Sequence, residues 1–248
     1  ATAVGYSEMM EIIALGGGDS FVTSNLLLHL DGSTSSPSDS TWTDGSSNGH
    51  NGTINGATYS SDNSGVWGFD GNDKVTFSSL SLPNRPFTIN CFHEYTNMTG
   101  WQMIAGQDSS DSSGPGSFYF GKANSGNTGS SRASNSFGST IRPNGTSDQV
   151  HCNSPSAISI NTWYNHCLVA STTDLKLYQN NTLVTTVSNS DTIATRTGTF
   201  ALGGAWYDDN FGDYFKGNIG VFSIYDVDLT TSQITQNFDA FKTRYGLS

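Results

Sequence analysis

The chain has little positive charge, with 10 lysines and arginines against 21 aspartates and glutamates in 248 residues, and its formal net charge is −11. Nucleic-acid binding needs clustered Lys and Arg to neutralise phosphates, so this balance argues against a nucleic-acid partner. No apolar run approaches the ~20 residues of a membrane-spanning helix, which argues against membrane insertion. Three cysteines are too few for a disulfide framework.

The cysteines also indicate the cellular compartment in which the chain folds. Unpaired thiols suit a chain that is not exported through an oxidising compartment, and Ala1 would then follow a removed Met. A cleaved signal peptide is the alternative. Whether Cys152 pairs with Cys167 stays open, because the sequence does not set the distance between them.

Glutamate is scarce, with three residues against 18 aspartates. Asp, Ser, Thr, Asn and Gly favour turns and caps, whereas Glu favours helices. Turn pairs such as Asp44-Gly45, Asn51-Gly52 and Asp70-Gly71 separate short apolar runs. Closely spaced short strands of this kind indicate an all-β sandwich or barrel.

Several runs show strand patterns. Residues 26–30 are almost entirely apolar, which predicts a strand buried on both faces. Residues 87–95 alternate, with Phe87, Ile89, Cys91 and His93 on one face. The Ser-, Gly- and Asn-rich residues 105–149 predict poorly patterned strands with long connections, because a structureless loop of that length is improbable in a compact domain.

Two hairpins are predicted. Residues 66–69 and 74–77 flank an Asp-Gly-Asn-Asp turn, and residues 175–179 and 182–187 flank Asn180-Asn181, a favourable type I′ pair. One helix is predicted near the C-terminus. It has a T-x-x-Q capping box at Thr230 and Gln233, and Gly246 ends it. Its apolar stripe, which would pack on the sandwich, consists of Ile234, Phe238, Phe241 and Tyr245.

Four segments together resemble a known family. They are residues 26–77, which contain an FDG turn at 69–71, FTINCF at 87–92, WYNHCLVASTTDLKLY at 163–178 and KGNIGVFSIYD at 216–226. Their order and spacing resemble a concanavalin A-like, laminin-G-type domain, and the resemblance covers most of residues 25–248. It implies an all-β, two-sheet antiparallel jelly-roll sandwich over 25–248, with a short C-terminal helix and an N-terminal arm over 1–24.

The arm differs from the rest of the chain. Met9, Ile12 and Ile13 lie at helical spacing, and three glycines follow at 16–18. A solitary helix this short is marginal in water, so we expect it to dock on a partner chain, a neighbouring subunit or its own sandwich. The alternative is a frayed terminus without a role.

The arm and the style of the sandwich are similar to domains in tailed-phage structural proteins. That resemblance implies a virion surface protein, such as a capsid decoration or fibre component, anchored through Met9, Ile12 and Ile13 to a capsid or other virion protein. A homo-oligomer and a cell-surface glycan are the other partners it implies. A secreted carbohydrate-binding or adhesion module is the alternative function.

The same fold also houses glucanases and polysaccharide lyases. Retaining glucanases carry two carboxylates roughly 5 Å apart, but this sequence lacks the E-x-D-x-x-E motif of that family. It has no Q-x-H strand of the alginate-lyase type, and Tyr214-Phe215-Lys216 matches one lyase strand in part. We therefore predict no enzymatic activity, with a divergent polysaccharide hydrolase or lyase as the remaining alternative.

Two kinds of ligand site are predicted. Sugar faces stack on Trp and Tyr, and Trp206, Tyr207 and Trp101 are the candidates; Trp42, Trp67 and Trp163 match core-like positions. Hard cations need several oxygen ligands on turns, and Asp208, Asp209 and Asp213 make calcium the candidate cofactor. A solvated acidic loop is the alternative. The His151-Cys152 and His166-Cys167 pairs do not predict zinc, because adjacent strand residues point to opposite faces.

The calcium hypothesis has a direct test. If Asp208, Asp209 and Asp213 bind the ion in the folded state, millimolar calcium raises the melting temperature by linkage. Identical thermal melts in calcium and in chelator would contradict it.

Overall fold

The computed structural model describes residues 20–107, 118–122, 134–143, 149–191, 198–207 and 210–248, and at Trp206, Tyr207 and Asn210 the description covers the backbone. Short strands dominate these residues. The strands and the helix are β1 (Leu26–Asp31), β2 (Thr41–Trp42), β3 (Gly52–Asn55), β4 (Thr58–Ser60), β5 (Val66–Asp70), β6 (Lys74–Phe77), β7 (Phe87–Tyr95), β8 (Gln102–Gln107), β9 (Phe118–Lys122), β10 (Ser136–Ile141), β11 (Val150–Ala157), β12 (Trp163–Ala170), β13 (Asp174–Gln179), β14 (Thr182–Ser188), β15 (Ala201–Leu202), β16 (Ala205–Tyr207), β17 (Asn210–Gly212), β18 (Lys216–Tyr225) and α1 (Thr231–Phe241). Within the described ranges, no helix has the length and apolar character needed to cross a membrane.

The strands form two large sheets. The first has the order β14-β13-β12-β7-β18-β5-β4, with β1 also paired to β18, and the second has the order β11-β10-β9-β8-β15-β6-β3-β2. Neighbouring strands run antiparallel, and β16 and β17 form a separate hairpin. The predicted two-sheet antiparallel sandwich is confirmed.

Strands β7 and β18 form the centre of the first sheet. The predicted facing of β7 is confirmed, because Phe87, Ile89 and Cys91 lie in the core between the sheets. The opposite face of β7 is also buried, since Phe92 lies 5.1 Å from the Tyr245 ring beyond the end of α1. Burying such side chains stabilises the fold by roughly 1.5–3 kcal/mol each.

Helix α1 follows its prediction. The Thr230 hydroxyl accepts from the Gln233 amide, and the Gln233 side chain accepts from the Thr230 amide, which completes the capping box. Ile234 and Phe238 are buried against the first sheet. Gly246 adopts a left-handed conformation with φ of 66° after a short 3₁₀ turn, Lys242–Tyr245, which extends the helix.

The predicted hairpin of residues 66–69 and 74–77 is wrong. Strand β5 pairs with β18 and β4 in the first sheet, while β6 pairs with β15 and β3 in the second. The turn between them crosses the sandwich. Phe69 and Val75 belong to the same core cluster, so the two strands pack face to face across the core instead of pairing edge to edge.

The second predicted hairpin is confirmed. Strands β13 and β14 pair from Gln179 and Thr182 onward. Asn180 and Asn181 have φ of 47° and 62°, the positive values that a type I′ turn requires.

Strands in the poorly patterned region are also confirmed for its described residues. Strands β9 and β10 lie within residues 105–149 and β8 ends there, and the three are neighbours in the second sheet. Gly121 shows why their pattern is weak. A Cβ at Gly121 would lie 2.6 Å from the Cα of Met103 on the neighbouring strand, so this position excludes any side chain.

Residues 20–24, the last part of the predicted arm, lie against the sandwich. The Val22 amide donates to Asn237 Oδ1 at 2.8 Å, and the Tyr225 hydroxyl donates to the Val22 carbonyl at 3.0 Å. Phe21 stacks on His29 with ring centroids 4.3 Å apart. The predicted anchoring residues, Met9, Ile12 and Ile13, lie outside the described residues.

Two histidines are buried side by side in the core. His93 Nε2 lies 2.9 Å from His166 Nδ1, and His166 Nε2 lies 3.1 Å from Gln179 Oε1. Because the Gln179 carbonyl oxygen can accept but not donate, His166 carries its proton on Nε2 and accepts from His93 Nε2–H. With Nδ1 accepting and Nε2 donating, the His166 ring is neutral. Burial lowers the pKa of His166 to about 3 and holds the pKa of His93 well below its usual value.

These shifts predict acid destabilisation. The unfolded histidines take up protons as the pH falls below about 6.5 while the folded ones do not, so stability present above pH 6.5 is lost toward about 3. Between pH 6.5 and 4.5, above the range where most carboxylates protonate, we expect a loss of about 2–3 kcal/mol from His166 and a further loss from His93 in the same direction. Urea unfolding across this window measures it.

The His166→Gln variant should show a shallower dependence on pH. The His50→Gln variant, at a half-buried turn histidine away from the buried pair, is the control for the loss of a histidine as such. Equal slopes in wild type and His166→Gln would contradict the argument.

Candidate functional site

The predicted sugar-binding residue Trp101 lies on the outer side of the second sheet, just before β8. It is half-buried and packs against Met103, Tyr119 and Ala205. Ala205 is the first residue of β16, so Trp101 and the β16–β17 hairpin meet at one place. The structure thus brings Trp101 to the hairpin whose backbone contains the other two predicted residues, Trp206 and Tyr207.

Backbone hydrogen bonds fix the base of this hairpin to the second sheet. The Gly203 amide donates to the Ile104 carbonyl at 2.8 Å, and the Met103 amide donates to the Asp213 carbonyl at 2.8 Å. Trp206 lies directly across the hairpin from Phe211. β8 therefore holds the residues on both sides of the hairpin, Gly203 before it and Asp213 after it.

Sequence reasoning missed two further aromatic residues here. Phe211 and Tyr214 are half-buried, and their rings meet edge to face with centroids 5.2 Å apart. The Lys74 ammonium lies 5.2 Å from the Phe211 centroid. Their position in the sequence could have indicated them, because both lie within eight residues of Trp206 in the same aromatic and acidic segment.

Two buried side chains bind the backbone of the loop that precedes Trp101. Gln102 Nε2 donates to the carbonyls of Asn97 and Thr99, both at 3.0 Å. Lys122 Nζ donates to the carbonyls of Met98 and Gly100, at 3.0 and 2.7 Å. Four successive carbonyls of residues 97–100 are thus bound by two side chains, which are direct partners across β8 and β9.

The ammonium of Lys122 is fully buried. Its third hydrogen bond goes to Asn135 Oδ1 at 3.2 Å, so no carboxylate is among its described partners. A buried charge is costly unless its hydrogen bonds are complete, and burial accordingly lowers the pKa of Lys122. Three oxygen atoms accept the three hydrogen bonds of the ammonium, and two of these bonds hold the loop before Trp101 in place.

The carboxyl groups near this site have structural contacts. Asp73 is buried, and its Oδ2 accepts from the Asp70 amide at 2.8 Å, which closes the turn between β5 and β6. Burial raises the pKa of Asp73. Glu94 accepts from Asn218 Nδ2 at 2.7 Å within the first sheet. The carboxyl beside Asp73 is that of Asp70 in the same turn, and its charge also raises the pKa of Asp73, while Glu94 bonds within its own sheet.

The predicted calcium residues are described in part. Asp213 has a positive φ of 47°, and its backbone carbonyl is the acceptor for Met103. Asp208 and Asp209 lie outside the described residues, so the calcium site stays a prediction. Over the described ranges, no three His, Cys, Asp or Glu residues are grouped to hold a metal ion.

The His-Cys pairs have their members on opposite faces of their strands. Cys152 lies in the core between the sheets, while His151 Nδ1 lies 3.1 Å from the Thr140 hydroxyl. His166 faces the core, and Cys167 packs in the second cluster near α1. All three cysteines are buried free thiols.

A sequence model of the concanavalin A-like lectin/glucanase superfamily, of the laminin-G type, matches residues 69–235, which is more than half of the chain. The chain belongs to this superfamily. No protein with a curated description is significantly similar in sequence.

Solved structures with the same fold are distant in sequence. Domain 4 of AbnA, an extracellular GH43 arabinanase from Geobacillus stearothermophilus, was solved with arabinotriose; it matches with a TM-score of 0.65 at 18% identity, over 87% of this chain and 98% of that one. The binding domain of botulinum neurotoxin DC, in complex with SialylT, matches with a TM-score of 0.62 at 15% identity, over 89% and 52%. The receptor-binding domain of botulinum neurotoxin type G matches with a TM-score of 0.63 at 15% identity, over 90% and 54%.

This chain covers nearly the whole of the arabinanase domain but about half of each toxin binding domain. At such identities these likenesses concern the fold.

Proposed function

We propose that this protein is a non-catalytic carbohydrate-binding domain whose site lies between Trp101 and the β16–β17 hairpin. The observation that carries the proposal is the half-buried Trp101 at the end of a loop whose four preceding carbonyls are fixed by Gln102 and Lys122. An aromatic ring held this way is preorganised to stack on a sugar face, so binding loses little conformational entropy.

The surroundings of Trp101 support the same function. Phe211 and Tyr214 add aromatic surface at the hairpin, and Trp206 and Tyr207 are residues of its first strand, β16. Solved domains of this fold were determined with arabinotriose and with SialylT, which supports a glycan as the partner.

Trp101→Ala should remove glycan binding while the sandwich stays folded, because Trp101 lies outside the main core. We expect at least a 10-fold weaker signal on a glycan array, since stacking supplies much of the contact area. Trp163→Ala is the matched control, as Trp163 is half-buried at the far side against Tyr245. An array without hits, or unchanged binding in Trp101→Ala, would contradict the proposal.

We further propose that the sandwich is displayed on a virion surface as a capsid decoration or fibre component. The resemblance to tailed-phage domains and the amphipathic cluster of Met9, Ile12 and Ile13 support this setting. A secreted carbohydrate-binding or adhesion module is the second candidate, supported by the extracellular arabinanase domain of the same fold. Both settings use the same glycan site.

A deletion tests the anchoring role. Residues 1–19 are removed while residues 20–24 are kept, because Val22 bonds to Asn237 and Tyr225 within the sandwich. The truncated chain should fold with an unchanged melting temperature and fail to join particles during co-expression with the other virion proteins. Incorporation at full occupancy would show that the arm is not an anchor.

A divergent hydrolase or lyase is the competing enzymatic function. We expect no reducing-end product from laminarin and no unsaturated product from alginate, because Asp73 and Glu94 have structural contacts. Product above a heat-killed control, lost in Tyr214→Phe, would favour the enzyme over the binding domain.

A further inference from the structure

We propose that the loop of residues 97–101 is itself a ligand subsite, in which the backbone amides of Met98 and Gly100 donate to hydroxyl oxygens of an uncharged sugar stacked on Trp101. The inference rests on the proposed function, because it specifies the chemistry of the same site. Its support is the direction in which this stretch of backbone is held.

Planar trans peptides point their C=O and N–H groups in opposite directions. Gln102 Nε2 binds the carbonyls of Asn97 and Thr99 from inside the protein, so the amides of the same two peptide units, Met98 N–H and Gly100 N–H, point away from the interior. Gln102 is 1% exposed, which fixes the inward side of the loop.

These two amides have no acceptor in the described protein. Neither Met98 N–H nor Gly100 N–H takes part in a backbone or side-chain hydrogen bond, and both residues are partly exposed. The amide between them is already used, because Thr99 N–H donates to Asn97 Oδ1 at 2.6 Å. Two donors two residues apart therefore face outward immediately before the Trp101 ring.

The loop cannot relax to turn these donors inward. Lys122 holds the alternate carbonyls, those of Met98 and Gly100, with an ammonium whose three protons are all used. Freeing the loop would leave a buried charge without partners, which is costly. The donors are thus held in place before a ligand arrives, as a preorganised site requires.

The charge pattern favours an uncharged ligand. The chain has a net charge of −11, and Asp213 directly follows the hairpin beside Trp101. Lys122 points inward and is fully buried, and Lys74 lies over the Phe211 ring. Among the described residues at this site both lysines are engaged, so a carboxylated sugar would meet repulsion there, whereas hydroxyl oxygens accept from neutral amides at little cost.

Amide spectra of the full-length wild-type chain provide the test. In ¹⁵N–¹H correlation spectra, adding laminaritriose or arabinotriose should shift the Met98 and Gly100 amide signals together with the Trp101 indole signal. Trimannuronate and sialyllactose, as acidic probes, should bind at least about 10-fold more weakly. Trp101 shifts without Met98 or Gly100 shifts, or equal affinity for the acidic probes, would overturn the inference.

The Gln102→Met variant adds a functional readout. It releases the Asn97 and Thr99 carbonyls and should weaken neutral-sugar binding by roughly 10-fold, as expected for two hydrogen bonds. Asn55→Ala, at an exposed strand residue, is the control and should bind normally. A folded Gln102→Met variant with wild-type affinity would overturn the subsite.

The two proposals fail differently. Binding that is lost in Trp101→Ala but kept in Gln102→Met leaves the carbohydrate-binding function intact and removes the backbone subsite. An absence of binding to every neutral and acidic probe contradicts the carbohydrate-binding function itself, and the subsite with it.

Discussion

The antiparallel pairing of β7 with β18 is the constraint on which the rest of the structure depends. Both strands are covered twice, by the second sheet on one side and by α1 with its 3₁₀ extension on the other. β18 also pairs with β1 and β5 along its other edge, so one strand organises most of the first sheet. The residues that follow β7 and those that precede β18 therefore begin at backbone positions that the sheet holds in place.

The candidate site begins where that pair ends. Gly217 lies opposite Tyr95, and the Thr96 amide donates to the Lys216 carbonyl at 3.0 Å. The Lys216 amide in turn donates to Gln102 Oε1 at 3.0 Å. Gln102 thus connects β18 to the carbonyls of residues 97 and 99, so the rigidity of the sheet extends into the loop that carries Trp101.

The sequence predicted those elements whose signals are local. The capping box at Thr230, the Asn180-Asn181 turn and the alternation in β7 each act within a few residues, and each is confirmed. The turn after β5 has the same Asp-Gly signal as a hairpin, but the apolar residues on both flanking strands determine that they pack across the core. Local turn chemistry does not distinguish these two outcomes.

The supports of the site could not be predicted for a related reason. Lys122 lies in a Ser-, Gly- and Asn-rich segment, and two of its three partners are backbone carbonyls more than 20 residues earlier, which have no side-chain signature. Trp101 was predicted from its residue type, but its contact with Ala205 depends on the pairing of distant strands. Which backbone groups a polar side chain binds can be recognised only after the pairing of the strands is known.

The most direct test of this account is a crystal structure of the full chain with a bound neutral trisaccharide. The proposed subsite predicts a sugar ring stacked on the Trp101 indole, with two hydroxyl oxygens within about 3.2 Å of the Met98 and Gly100 nitrogens. The Lys122 and Gln102 side chains should keep their bonds to the four loop carbonyls. A trisaccharide bound at another part of the sandwich, with the Trp101 loop unoccupied, would contradict it.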